Sequence, residues 1–543
     1  MHLLILFSAV FTALSTCVVS ALTPPPPRVI LIVLADDIGN AQAGWVPNSP
    51  ASTGGPNGLS LTPRLDALAH DGLILSSHYT SFWCTPSRAS LLTGRLPVHV
   101  QMQQSFPESP SQGIPRNMTA LPEYFTAAGW ATYAVGKWDV GVSTHDHIPL
   151  GRGFEHSLVS FEHMTDRWTQ KIFPGGTACT LLDPSITDLW ADDGPARTLN
   201  GTGFSEDIHA ATLMDMIVNA DENKPLLIYY APHIAHYPLQ VPRAYLDKFA
   251  FMTDDESACN ATIPYIYPNS TEPFRCRAQE SALLNLLDDV IGNIVDALVT
   301  RGWWNETLML FSSDNGAPLD IQESGGNNWP LRGGKYSSWE GGTKVPAFIS
   351  GGFVPEARRG KTEAGAIHIA DWLATFAEIA GIDAQFDPKA AAAGLPLSDS
   401  LNVWPLLSGA NISSSPRVEI PISPQVLVQY PYKLLLGPQD WAGYTSPVYP
   451  NASSVIPSNS PNQWAFCGSG CLFDVRADPE ERNDLAATHK ELVTNMTARL
   501  ALLVQGFYSN NDTGVDVCPK GTQLCGCWAA INLWGGFLGP YQL

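Results

Sequence analysis

The sequence predicts an α/β fold, a doubly wound sandwich on a largely parallel sheet, with a smaller C-terminal α+β subdomain. Three observations predict it. Val29-Ile-Leu-Ile-Val-Leu34 is an unbroken apolar, largely β-branched run, which suits a strand buried on both faces. Strand-like and helix-like segments then alternate as far as Phe311, the pattern of βαβ crossovers. Polar, chemistry-bearing residues follow the strand runs directly, where an open α/β sheet places its ligand site.

Pro24–Pro27 is a stiff lead-in to that first strand. Pro47–Gly58, rich in Pro, Gly and Ser, reads as a surface insertion. Leu61–His70 has helical spacing with Pro63 near its start, and Leu73–Tyr79 returns as one strand. The cycle repeats as helix 120–128 and strand 131–135, then helix 207–220 and strand 225–230. A long amphipathic helix over Ser281–Arg301 precedes a strand over Thr307–Phe311. From about Glu419 the patterns shorten and cysteines gather, so the boundaries are residues 22–418 for the main domain and 419–543 for the subdomain.

Apolar residues at 45% are ample for a core of this size. The formal charge of −21 excludes a nucleic-acid partner and a broad basic platform for polyanionic glycans. Any anionic substrate must therefore meet a local cluster of cations. Met1–Ala21, with its apolar run Leu3–Leu14 and closing Val19-Ser-Ala21, has the layout of a signal peptide. It is too short for a membrane anchor, and no later run supplies one. The expected route is secretory, ending outside the cell or in a lysosome or vacuole.

Beyond Cys17 and Cys84, eight cysteines remain: Cys179, Cys259, Cys276, Cys467, Cys471, Cys518, Cys525 and Cys527. In a secreted chain they suggest up to four disulfides, with the pairing open. A metal cluster at Cys518, Cys525 and Cys527 lacks histidines at zinc spacing. Nine N-x-S/T sequons, beginning at Asn117 and ending at Asn511, suit a glycoprotein.

The chemistry gathers in a few segments. Asp36-Asp37 follows the first strand, and Asp314-Asn315 follows the strand at 307–311. Together they offer an oxygen-only ligand set for a hard cation. Gly39 is expected to supply the turn that lets both Asp36 and Asp37 face one ion. Positive charge and imidazoles sit in Gly136-Lys137-Trp138, in Pro232-His-Ile-Ala-His236-Tyr-Pro238 and in the Gly-rich loop around Lys335. Taken singly these are ordinary caps, turns and surface charges. Cys84-Thr-Pro-Ser-Arg88, followed by Leu92-Thr-Gly-Arg95, is far less ordinary.

In this order the motifs resemble those of the formylglycine-dependent sulfatases, nearest the arylsulfatase B (N-acetylgalactosamine-4-sulfatase) branch. Shared wording extends to Pro238-Leu-Gln-Val-Pro242, Gly325–Arg332 and Ile367–Trp372. The resemblance implies an alkaline-phosphatase-like fold. It implies that a formylglycine-generating enzyme oxidises Cys84 to 3-oxoalanine, and that one Ca²⁺ is held by Asp36, Asp37, Cys84, Asp314 and Asn315. The hydrated aldehyde would attack the sulfate ester of a small molecule or glycan. Arg88 and Lys137 would neutralise charge, and Lys335 and His236 would stabilise the leaving oxygen.

One position departs from the family. Its lysine motif usually reads G-K-W-H-L-G, and here Asp139 stands where the histidine takes a proton from the hydrate. An unperturbed Asp titrates near 4 against about 6.5 for His, so an Asp base would move the acidic limb of activity down. His145 and His147 are candidate substitutes if their loop folds back. A phosphodiesterase or phosphonate hydrolase of the same superfamily, or a non-catalytic glycan-binding protein, are the alternatives. Pocket specificity is expected from loops such as Ala178–Gly201.

Overall fold

The computed structural model describes residues 25–46, 49, 62–106, 109, 113–173, 177–252, 265–319, 325–410, 414–447 and 464–543. The expected signal segment, nearly all of the 47–58 insertion, Cys259, Asn260, Asn411 and Asn451 lie outside them.

The first apolar run forms the strand Val29–Ala35, with every residue buried. It pairs in parallel with Leu226–Ala231 on one side and Thr307–Ser313 on the other. Ala131–Lys137 and His156–Ser160 extend the parallel set beyond Leu226–Ala231. This five-stranded core lies within a ten-stranded mixed sheet. Ala347–Ser350 joins antiparallel on one flank and the short pair Trp190–Ala191 and Gly194–Pro195 on the other. Alternation along Val29–Ala35 divides its side chains between two cores. Ile30, Ile32 and Leu34 enter one, and Val29, Leu31, Val33 and Ala35 the other. Helices cover both faces, so the sheet is doubly wound as expected.

Two elements differ from the sequence expectation. Leu73–Tyr79 is two strands. Leu73–Leu75 joins the main sheet, and His78–Tyr79 pairs with Ile367–His368 in a separate ladder. The run breaks at the polar pair Ser76-Ser77, and beyond it buried His78 accepts from the Trp372 indole at 2.9 Å. The long helix starts earlier, spanning Cys276–Thr300. Its first turn is polar yet buried, and Gln279 and Glu280 have specific partners there. Glu280 accepts from Gln42 at 3.0 Å and from Gly325 N at 3.1 Å, while Gln279 donates to Leu239 O.

Glu419–Ser423, Val426–Gln429, Tyr432–Leu435 and Cys471–Asp474 form an antiparallel sheet, with the helix Lys490–Val504 packed on it. Buried Lys433 reaches out of that sheet to Glu340, which opens the short helix Glu340–Thr343 after the Lys335 loop, and to Glu481, each at 3.0 Å. Thereafter the chain returns to the main body. Cys525, Cys527, Ala529 and Leu538 join the first core, and Cys527 is bonded to Cys179. Cys467–Cys471 and Cys518–Cys525 are also disulfides, so no thiolate cluster remains at 518–527. Cys276 is disulfide-bonded as well. Asn117, Asn269, Asn305, Asn495 and Asn511 are exposed and Asn200 is half-buried.

Burial leaves a titration signature. It pushes the carboxyls of Asp188, Glu206 and Glu481 up to about 7 and that of Glu280 up to about 8. It also pushes His78 down to about 3 and His209 down to about 4. Unfolded histidines still bind protons near pH 6.5 and oppose the carboxyls there, but above about pH 7.5 they are neutral both folded and unfolded. The four carboxyls, Glu280 foremost, retain protons in the fold that the unfolded chain has lost. Raising the pH from about 7.5 to 9 therefore withdraws stability, by about 1 kcal/mol. Melting curves across that range should show Tm falling with pH; a flat or rising Tm would refute this.

Candidate active site

The carboxyl ends of the five parallel strands meet at one place, and each delivers a polar residue there. Asp36 and Asp37 follow Val29–Ala35, and Asp314 and Asn315 follow Thr307–Ser313. Lys137 ends its own strand and Asp139 comes two residues later; His233 and His236 follow Leu226–Ala231. His163 follows His156–Ser160. The turn at Asp36-Asp37 is made by Asp37 itself, in the left-handed region at φ 64°, while Gly39 is extended at φ −83°. That geometry lets two consecutive carboxylates face one point. Asp139 adopts the same conformation at φ 54°.

Cys84 is the first residue of a helix, Cys84–Thr93, that is buried throughout. Trp83 before it is extended, and Gly94 ends the helix at φ 66°, where a side chain would be strained. Ala89, Leu91 and Leu92 anchor it in the core. Cys84 Sγ lies 3.6 Å from Asp36 Oδ1. Burial foremost, with the Asp314 charge, holds the thiol well above its ordinary range. As an unmodified thiol, residue 84 is a poor nucleophile.

Three carboxylates and three cations interlock around it, all buried. Lys137 Nζ is 2.9 Å from Asp36 Oδ2, and Lys335 Nζ is 2.9 Å from Asp37 Oδ2. Arg88 grips Asp314 Oδ2 through Nε at 3.1 Å and Nη2 at 2.7 Å. Burial pushes Asp36 upward, but Lys137 foremost, with Arg88, overcomes it and holds the carboxyl well below its usual range. Asp37 has one close cation and two carboxylate neighbours, so burial carries it to about 7. His236 is held neutral, first by burial and then by Lys335. Its Nδ1 meets the Tyr237 carbonyl at 2.6 Å and must carry the proton, leaving a lone pair on Nε2.

The donor set fits a hard cation. Asp36, Asp37, Cys84 and His236 present ligand atoms within 4.8 Å of one another. Asn315 donates from Nδ2 to Asp37 Oδ1 at 2.6 Å, and its Oδ1 is buried without a partner. A lone carbonyl oxygen beside three buried carboxylates is what a bound cation would satisfy.

Asp139 lies beside Lys137, 3.8 Å from its Nζ, and accepts from Gln104 Nε2 at 3.1 and 2.9 Å. Burial, opposed by Lys137 and Arg88, raises it to about 6. The expectation of titration near 4 is thereby corrected. His147 is turned away toward Ser143 and Thr144, and His145 is exposed beside Asp193. Neither reaches the site.

A cavity of about 520 Å³ opens onto Lys335 and His236. Trp83, Phe106, Met164, Tyr237 and Tyr336 form its apolar walls, with Gln103, Gln104 and His163 between them. The Ala178–Gly201 loop is not among its lining residues. That segment instead carries the helix Cys179–Leu182 and the two short strands at the sheet margin. His163 and Gln104 were not singled out from sequence. The position of His163 just past a strand run was the available signal; Gln104 had none.

Comparison with known proteins identifies the family and the fold. The sulfatase family model matches residues 28–382. Arylsulfatase J of Mus musculus is 28% identical over 507 residues, covering 87% of this chain and 75% of that protein. Arylsulfatase A of Homo sapiens is 30% identical, covering 72% and 69%. Human N-acetylgalactosamine-6-sulfatase is 27% identical, covering 60% and 57%. Among solved structures, Ps i-CgsB in complex with a neocarrahexaose superposes with TM-score 0.67 at 21% identity, covering 89% of this chain and 94% of that one. The PsFucS1 sulfatase from Pseudoalteromonas sp. gives 0.64 at 20%, covering 91% and 93%. At these identities the superpositions speak for the fold.

Proposed function

The chain belongs to the sulfatase family, and from that premise we propose that it hydrolyses sulfate esters of sugars at residue 84, converted from Cys to formylglycine. The observation that carries this reading is Cys84 at the head of a buried helix, within a pit of three carboxylates and three cations. The raised thiol and its complete burial support conversion by a formylglycine-generating enzyme before folding ends. The aldehyde supplies, as its hydrate, a nucleophilic hydroxyl with a second one behind it, which a thiol lacks.

For the cation we propose Ca²⁺, held by Asp36, Asp37, residue 84, Asp314 and Asn315; when bound it supplies Lewis-acid neutralisation of oxygen charge. Lys137 and Arg88 then face the anionic ester. Lys335 lies on the cavity side, placed to neutralise the leaving oxygen and to give it a proton. His236, with its proton committed to Tyr237 O, orients through Nε2 and is not the donor in this form. Asp139 takes the proton from residue 84, its carboxylate aimed by Gln104.

Within the family we place the chain beside arylsulfatase B, on the wording at 238–242, 325–332 and 367–372. We also place a domain boundary at 418/419, with the tail around Cys525–Leu538 returning to the core of the main domain, and assign the chain to the secretory route, extracellular or lysosomal/vacuolar. The signal layout, the disulfides and the exposed sequons support that route. No described helix is long and apolar enough to cross a membrane.

Release of sulfate from 4-nitrophenyl sulfate tests the activity. Active enzyme should show an aldehyde at residue 84 by peptide mass spectrometry, and Cys84→Ala should release none. Full activity with an unmodified cysteine would end this reading.

Chelated enzyme should regain activity with one Ca²⁺ per chain by elemental analysis. Asn315→Ala should raise the Ca²⁺ needed by at least the roughly 10–100-fold that loss of an outer-sphere partner costs. Stoichiometric zinc after reconstitution from mixed metals would contradict the ligand assignment.

Asp139 must be ionised to accept a proton, so kcat should fall as pH drops through about 6, near the limb expected of a histidine. Asp139→Asn should lower kcat about 10²–10⁴-fold, and Asp139→His should retain turnover. An unchanged rate and pH profile in Asp139→Asn would show that the base lies elsewhere.

A further inference from the structure

The cavity beyond the reacting groups has a composition that bears on the substrate. Three of its aromatic walls are chain neighbours of reacting residues: Trp83 precedes Cys84, Tyr237 follows His236, and Tyr336 follows Lys335. Trp83 and Tyr336 pack edge to face at 6.1 Å, and Tyr336 N donates to Phe82 O at 3.0 Å, which braces the two walls together. Tyr336 sits in the left-handed region at φ 72°, with Lys335 Nζ 5.3 Å from its ring centre. Phe106 and Met164 complete the apolar surface. A group attached to the scissile oxygen therefore meets aromatic side chains at once.

Cations are scarce there. Among the described residues lining the cavity, Lys335 is the only Lys or Arg, and it is paired with Asp37. Every Lys and Arg of the chain lies within the described residues, so the remaining segments have none to contribute. The other polar groups of the lining are the Gln103 amide, the Gln104 amide oxygen (its Nε2 being held by Asp139), the neutral imidazoles of His163 and His236, the Tyr237 and Tyr336 hydroxyls and the Trp83 indole, whose Nε1 is buried without a partner. These suit neutral hydroxyl or carbonyl groups. A second anion in this cup would be desolvated against aromatic rings with no counter-charge, in a protein of net charge −21.

Resting on the sulfatase reading above, we propose that the substrate is a singly charged sulfate ester, whose neutral body lays a flat apolar face, an aryl ring or one side of a pyranose, against this aromatic cup. Polysulfated or uronate-bearing glycans are excluded by the same surface.

The test uses matched pairs with one scissile sulfate. The aryl pair is 4-nitrophenyl sulfate bearing a ring carboxamide or a ring carboxylate. The sugar pair is N-acetylgalactosamine 4-sulfate and its 4,6-disulfate. In whichever pair is turned over, the extra anion should lower kcat/KM at least tenfold, mainly through KM. The pair turned over faster tells aryl body from sugar body. Phe106→Arg, and independently Met164→Arg, should narrow the gap at least fivefold by adding a cation to the wall. Equal or better turnover of the dianionic member by wild type would overturn the proposal. So would an unchanged gap in both variants with activity on the neutral member retained. If no sulfate ester is turned over although residue 84 carries the aldehyde, the sulfatase reading itself fails and this proposal with it.

Discussion

The structure depends on the mutual neutralisation of Asp36, Asp37 and Asp314 by Lys137, Lys335 and Arg88 at the end of the sheet. All six are buried, and an uncompensated charge there costs several kcal/mol even after relaxation. Each cation arrives from a different element: a helix for Arg88, a strand end for Lys137, a Gly-rich loop for Lys335. The pit therefore holds three segments of the chain in register as firmly as packing does. The Lys335 loop is held from behind as well. Glu340 follows it and is locked by Lys433 and Glu481 from the C-terminal sheet, and Arg332 stacks over Trp339 at 3.7 Å. In this way the smaller sheet contributes to the site without supplying a residue to it.

This neutrality explains why the site calls for a hard cation. With the carboxylates answered only by lysine and arginine, those side chains are already engaged and offer an anionic ester little. A divalent ion among the carboxylates would leave the same lysines and arginine in excess positive charge. The unpartnered Asn315 oxygen marks where the present arrangement is incomplete. Binding an ion and binding the sulfate would then be two parts of one charge balance, in a chain that is strongly acidic overall.

Much of this was legible in the sequence because the fold concentrates function where strands end. Asp36, Lys137, His236 and Asp314 each follow a recognisable apolar run, and a parallel sheet brings such positions together. What was illegible depended on backbone conformation or on contacts distant in sequence. The left-handed turn at Asp37 is made by a residue type that adopts it less readily than glycine, so the sequence alone points to Gly39. Gln104 lies in a stretch without periodicity, and its value comes only from meeting Asp139. The tail beyond residue 508 looked like part of a separate subdomain, since nothing local records that Cys527 reaches Cys179.

The departure at Asp139 is the place where residue identity and environment must be weighed against each other. By identity a carboxylate is too weak a base to replace imidazole at mildly acidic pH. By environment it is buried, beside one lysine and a glutamine amide, and burial outweighs both Lys137 and Arg88 and lifts it to about 6. The two side chains therefore converge in proton affinity although they differ in charge. A histidine is neutral when ready to accept a proton, whereas Asp139 is then an anion. That anion stands 3.8 Å from Lys137, the cation that also balances Asp36. Lys137 serves both, with Arg88 sharing Asp36 and Gln104 sharing Asp139, and a cation held among the carboxylates would leave more of Lys137 to Asp139.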